Sequence, residues 1–269
     1  PPYQVGTMLA NVGDLVNKGI EVSLSANILR QKDLTLDANV TFAYNDQEIT
    51  KLSNDAYQAV GLQAGSLHGL RGMSGMYSQI IKEGYPSGAF YGIDSDGNYI
   101  INRDEDGKPI NEYLGSAQPK FNLGFGMNLT YRDFDFSFAG YGMFGQKVLN
   151  ATRMAMFDPT RLPAQNVPDD FLESGIKSDP VFSSYFVENG SFFRLQSVTL
   201  GYTLPEVKKI GLEKIRFYLT GENLFCITGY SGIDPEVSLP DNVLEGPGID
   251  RFNSYPRPRT FSLGVNISF

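Results

Sequence analysis

Apolar and polar residues take turns along much of this chain. Phe261, Leu263, Val265, Ile267 and Phe269 alternate with Thr260, Ser262, Gly264, Asn266 and Ser268. A period of two places the two sets on opposite faces of a strand. Ile20, Val22, Leu24, Ala26 and Ile28 alternate in the same way with Glu21, Ser23, Ser25 and Asn27. After a polar turn at 30–33, Leu34, Leu36, Ala38, Val40, Phe42 and Tyr44 face away from Thr35, Asp37, Asn39, Thr41 and Asn45. Phe121, Leu123, Phe125, Met127, Leu129 and Tyr131 lead into a turn at Arg132-Asp133 and a second alternating run from Phe134 to Phe144. Two more strands are predicted at 192–204 and 214–225, and a weaker pair at 73–82 and 89–93.

In the clear strands no position on the apolar face is charged, whereas Glu21, Asp37, Asp135, Arg216 and Glu222 fall on the other face. A Lys or Arg on the lipid face of a membrane barrel costs ~2–4 kcal/mol at mid-bilayer, and an acid less. Lipid contact enforces such a partition, while a half-buried soluble sheet only encourages it. A strand of about ten residues also suffices to cross a bilayer when tilted.

The connections alternate as well. Short ones at 30–33, 132–133 and 205–213 take turns with long ones at 46–72, 94–119, 148–190 and 226–259, and 1–18 reads as a leading loop. With the weak pair counted there are about nine strands, and every short connection falls at one end. Outer-membrane barrels have short periplasmic turns and long outer loops, so this register puts the C-terminus on the periplasmic side. The long stretches read as loops because they are rich in Gly, Pro, Asp and Asn, with a short helical turn expected at Asp169–Gly175.

Composition narrows the alternatives. The 269 residues carry a net charge of −8, which argues against nucleic acid as a partner. One Cys and one His rule out an internal disulfide and a Cys/His metal cluster. No run of 18 apolar residues predicts a membrane helix, which says nothing against a barrel, whose apolar surface hides in alternation.

Several ordered stretches carry a family resemblance. Ser191-Phe192-Phe193-Arg194-Leu195-Gln196, then Thr220-Gly221-Glu222-Asn223-Leu224-Phe225, Gly229-Tyr230-Ser231-Gly232-Ile233-Asp234-Pro235-Glu236 and Tyr255-Pro256-Arg257-Pro258-Arg259-Thr260-Phe261 resemble the C-terminal region of SusC/RagA-type TonB-dependent outer-membrane transporters. Asn17-Lys18-Gly19-Ile20-Glu21 and Gln118-Pro119-Lys120-Phe121 fit the same family. The resemblance implies an all-β, transmembrane antiparallel β-barrel of about 22 strands with a plug in its lumen, of which this chain is expected to hold about nine C-terminal strands. It further implies a Bacteroidota-like Gram-negative outer membrane, glycan or peptide cargo, energy from TonB through an N-terminal part not seen here, a SusD-like lipoprotein lid, and no enzyme activity. The terminal Phe269 resembles the aromatic signal read during barrel assembly.

Candidate sites are few. Asn102, Asp104 and Asp106 space oxygen atoms as a calcium loop does, but the twelfth position is Tyr113 rather than Glu, so a polar turn is the simpler reading and no other cofactor is expected. Phe157, Tyr185, Tyr230, Phe252 and Tyr255 lie in long connections, where they can stack on cargo, touch a lid protein, or pack the loops. Phe42, Tyr44, Tyr131, Phe134, Tyr202 and Phe269 sit near strand ends and suit an interfacial girdle. The alternative from another class is a secreted β-sandwich carbohydrate-binding module, which would cover its apolar face with a second sheet.

Overall fold

A computed structural model describes residues 13–54, 58–70, 72–95, 99–177, 180–205, 211–237, 246–251 and 255–269. In chain order the elements are β1 (Asp14–Arg30), β2 (Leu34–Lys51), β3 (Leu62–Ser66), β4 (Tyr77–Ile81), β5 (Ala89–Ile93), β6 (Asn111–Ser116), β7 (Phe121–Tyr131), β8 (Phe134–Phe144), β9 (Lys147–Asn150), α1 (Ala151–Met156), β10 (Val187–Asn189), β11 (Phe192–Leu204), β12 (Lys214–Thr228), β13 (Ile249–Asp250) and β14 (Thr260–Ser268). Three 3-10 turns lie between α1 and β10, one of them at Asp169–Leu172.

Seven strands form one antiparallel sheet in the order β1-β2-β7-β8-β11-β12-β14. Two neighbouring rows of residues cross all seven. Leu29, Leu36, Leu129, Phe136, Leu200, Leu219 and Leu263 make one row, each opposite the next. Asn27, Asp37, Asn128, Ser137, Thr199, Thr220 and Ser262 make the other. The alternation read in single strands is thus kept in register across the sheet, giving one greasy face and one wet face. The greasy face stays open, with Leu263 81% exposed and Ile20, Leu24, Phe134, Leu200 and Phe261 exposed as well. Among the described residues no second sheet covers it, and this sets aside the sandwich alternative.

The girdle residues gather at two levels. Tyr44 and Phe42 lie 5.3 and 6.0 Å from Phe121, ring to ring. At the other end Phe134 meets Tyr202 at 4.7 Å and stands opposite Tyr131. From Phe121 to Tyr131 is ten steps of a strand, about 34 Å, which at a usual barrel tilt of about 40° spans about 26 Å. An outer-membrane apolar band is about 25 Å tall. Beyond Tyr44 the hairpin of β1 and β2 runs on, and Lys18 opposite Asp46 introduces the first charges on that face.

The long connections differ from expectation. The strands at 14–18, 46–51, 62–66 and 111–116, together with β9, β10 and β13, occupy stretches read as loop. The weak pair does form, as β4 and β5, but in a separate four-stranded sheet ordered β3-β4-β5-β6. Among the described residues the wall therefore has seven strands rather than about nine. The three connections leave the same end of the wall and fold on one another into a compact layer. β9 pairs with β10 and, in parallel, with β13. Leu67, Met73, Phe90, Leu149, Met154, Phe157, Phe186 and Ile249, drawn from all three connections, share its core. The layer strands are short, and in β5 and β9 buried residues follow one another without alternation, so they lack the period-two signal of the wall.

Candidate functional site

The wet face of the wall is one half of the site. Thr199 and Thr220 hydroxyls lie 2.9 Å apart, and Asn27 donates to the Asp37 carboxylate. Arg216 forks onto Asp135 through Nε at 2.7 Å and Nη2 at 2.5 Å. The fork passes over Gly201, where an added Cβ would lie 2.4 Å from Asp135 Oδ1 and 2.5 Å from Arg216 Nη2. Gly201 is required there for close approach. The charged residues assigned to the polar face by sequence all belong to this surface.

The end of the wet face that adjoins the layer is tied to it by an ionic knot. Arg194 of β11 donates to Asp234 at 2.7 Å and lies 3.8 Å from Glu236. Arg257, just before β14, reaches Glu236 at 2.9 Å and Asp234 at 3.7 Å. Tyr141 of β8 donates to Glu236 at 2.7 Å. Three of the family-like sequence stretches meet at this knot. Their spacing gave no sign of it, because contacts between residues 194, 234 and 257 depend on where the third connection turns back.

The candidate stacking residues have divided roles. Phe157 is fully buried, with its ring against Phe171, Tyr185 and Phe186 and the Arg153 guanidinium 4.7 Å above it. Arg153 also lies over Tyr185 at 5.0 Å and is held by Asp170 at 2.6 Å. Tyr230 is 5% exposed and donates to Asp250 at 2.7 Å. Burial, then the Asp250 carboxylate, pushes its hydroxyl well above the ordinary tyrosine range. Phe157 and Tyr230 are thus buried among the layer's own residues, so of the roles open to them in the sequence the structure shows them packing the loops. Tyr185 is half-buried beside Phe157, and Tyr255 is 87% exposed. Phe252 lies outside the described residues.

Asn102, Asp104 and Asp106 sit on an exposed hairpin. The Asp104 carboxylate accepts from the main-chain N–H of Asp106 at 3.0 Å and of Lys108 at 2.8 Å, while Asn102 donates to Asp94. Asp104 is thereby the cap of a tight turn. Among the described residues no three His, Cys, Asp or Glu side chains converge on a metal-sized point. His68 is exposed and touches Ser74 at 3.3 Å.

Where wall and layer meet there is a cleft of about 550 Å³. Asn45 and Gln47 of β2, the Tyr85 and Tyr113 rings, Lys120 and Lys147 line it. The two tyrosines stack at 5.1 Å with an 18° angle between planes. No residue-pattern signal marked this place, because its parts come from β2, a turn and strand β6 of the first connection, and the start of the second.

Comparison with known proteins gives a consistent answer. No protein-family model matches the chain. TonB-dependent receptor P3 of Formosa agariphila is 28% identical over 315 residues, covering 100% of this chain and 30% of the receptor. TonB-dependent receptor SusC of Bacteroides thetaiotaomicron is 31% identical over 291 residues, covering 97% of this chain and 27% of the receptor. Among solved structures, the RagAB peptide transporter superposes with a TM-score of 0.72 at 23% identity, over 96% of this chain and 30% of that one. The RagAB peptide importer in its 'closed-closed' state gives 0.73 at 24% identity, again over 96% of this chain. The chain spans about 30% of the length of the curated relatives it matches.

Proposed function

Because this chain is a stretch of the β-barrel of a TonB-dependent receptor of the SusC/RagA kind, we propose that it is part of the wall of an outer-membrane importer for glycans or peptides. It is not an enzyme; its relatives are receptors and transporters. The observation that carries the reading is the pair of adjoining rows, seven apolar and seven polar residues, running unbroken through the sheet. A sheet can sit between lipid and a watery lumen only if each face suits its solvent and every inner strand is hydrogen-bonded on both edges.

In this reading the outward rows meet lipid and the inward rows line the lumen. The layer built from the three long connections lies on the cell exterior, where a SusD-like lipoprotein closes over it. The short turns and the end of β14 face the periplasm, where TonB supplies energy through parts of the receptor outside this stretch.

Paired cysteine probes test it. In the full-length receptor with Cys226→Ser, spin labels are placed at Leu263→Cys and Ser262→Cys and the protein is put into liposomes. The label at 263 is expected to be relaxed by oxygen, which concentrates in lipid, and the label at 262 by a water-soluble nickel chelate. The reverse order, or equal access to the chelate at both positions, would remove the basis for the reading.

A further inference from the structure

Odd-numbered residues of β2 direct their main-chain N–H and C=O toward the β7 side. Asn45 donates to the Lys120 carbonyl at 3.0 Å. Four residues on, Ile49 donates to the Tyr85 carbonyl and accepts from the Gly84 N–H, each at 2.9 Å. Gln47 stands between these two stations. The pairing of β1 with β2 is regular from Asn45 to Ile49, so the Gln47 N–H and C=O point the same way. Among the described residues nothing bonds to either. Here β2 changes partner, from the wall strand β7 and the Lys120 that precedes it to the 83–85 turn of the layer. The interval opens into the cleft of about 550 Å³, a volume in the usual range for ligand sites.

We propose that this cleft binds a short extended peptide, whose main chain completes the β2 ladder at Gln47. The inference rests on the importer reading and deepens it by naming peptide as the cargo class. A donor and an acceptor on one strand edge, both without partners, match the donor and acceptor that a peptide unit presents to an antiparallel neighbour. The rest of the lining suits the ends and side chains of such a ligand. Lys120 and Lys147 make no ion pair among the described residues and can receive the terminal carboxylate. Asp46 and Glu48, on the same lining, can receive the terminal ammonium. The Tyr85–Tyr113 stack offers an aromatic wall to an apolar side chain. A sugar could lie on a tyrosine face, but its hydroxyls have no reason to match the spacing of one strand station.

The site is also held in shape. Gln47 Oε1 accepts from the Ser87 N–H at 3.1 Å, Ser116 Oγ donates to the Ser87 carbonyl at 3.1 Å, and Gln118 Nε2 donates to Ser87 Oγ at 3.4 Å. These bonds fix the Gln47 side chain against the layer and leave its main chain free. A ligand therefore meets a rim that has already been ordered.

The test titrates full-length receptor in detergent with unblocked penta-alanine and penta-leucine. Binding is expected, with penta-leucine the tighter of the two. N-methylation of one central ligand amide removes a single donor and is expected to weaken binding about ten-fold, as is Lys120→Glu combined with Lys147→Glu. Tyr113→Ala is expected to lower affinity for penta-leucine more than for penta-alanine. Each variant must keep the heat-shifted gel band of a folded barrel, so that misfolding is separated from lost recognition. A flat N-methyl scan, displacement of peptide by a maltopentaose, or no peptide binding by receptor that passes the labelling test at 262 and 263 would overturn the proposal. Failure of that labelling test would instead strike the importer reading itself.

Discussion

Arg194 and Asp234 stand 40 residues apart in sequence and join at 2.7 Å, with only 5% and 10% of their side chains exposed. Their bond fastens the third long connection to the wet face of the wall. Arg194 Nε is buried with no partner, so the guanidinium depends on its acids.

Asp234→Ala is expected to free the third connection. Removing one partner of a buried pair costs about 3–5 kcal/mol because the other charge is left without compensation. Glu236, at 3.8 Å from Arg194, holds the loss to the lower end. Limited proteolysis of full-length receptor should then cut within the 229–259 connection sooner than in wild type. Adding Arg194→Met should restore much of the resistance, and an unchanged cleavage rate in the single variant would contradict this role.

Leu263→Arg and Ser262→Arg place the same charge one residue apart on opposite faces. On the lipid face the cost is ~2–4 kcal/mol at mid-bilayer and less toward the interfaces. Refolding yield into liposomes, read from heat-modifiable mobility, is expected to fall for the 263 variant and to stay near wild type for 262. Equal yields would mean that this face does not meet lipid.

Phe157→Ala should loosen the layer and spare the wall. Truncating a buried Phe costs about 3–5 kcal/mol, and this ring contacts three other aromatic residues and Arg153 in the layer core. Hydrogen exchange should rise in 62–116 and 147–189, while β7, β8 and β11 stay protected. Loss of protection in all of them together would mean that layer and wall unfold as one unit.

Tyr230 gives the layer a dependence on alkaline pH. Its folded value is raised above the ordinary 10.0 by burial and by Asp250. Deprotonation is thus easier in the unfolded chain. The stability tied to this hydroxyl is whole below about pH 10 and declines as pH rises above it. Hydrogen exchange near 229–250, corrected for intrinsic rate, should increase between about pH 9.5 and 11 in wild type. Tyr230→Phe should lose that dependence while being somewhat less stable at neutral pH, since Asp250 then keeps Thr152 on Oδ1 but loses its donor on Oδ2. A parallel rise in both proteins would assign the effect to other groups.

The sequence by itself determined the wall. Each of its strands carries a period-two pattern because each of its faces meets a uniform environment over its whole length, as at Phe261 to Phe269 or Leu34 to Tyr44. The ends of the greasy band were also legible, at Phe42 and Tyr44 on one side and Tyr131, Phe134 and Tyr202 on the other, because aromatic rings suit an interface; that Phe121 joins the first group was seen only in the fold. Only the tertiary structure decided the layer, the ionic knot and the cleft. The strands of the layer are short, and β5 and β9 are buried or half-buried throughout, so neighbours from other connections choose their conformation and local pattern does not. Arg194 finds Asp234, and Gln47 keeps an open ladder station, only because of where long connections return. A face against solvent or lipid leaves its mark on every second residue, while a contact between distant segments leaves none until the chain has folded.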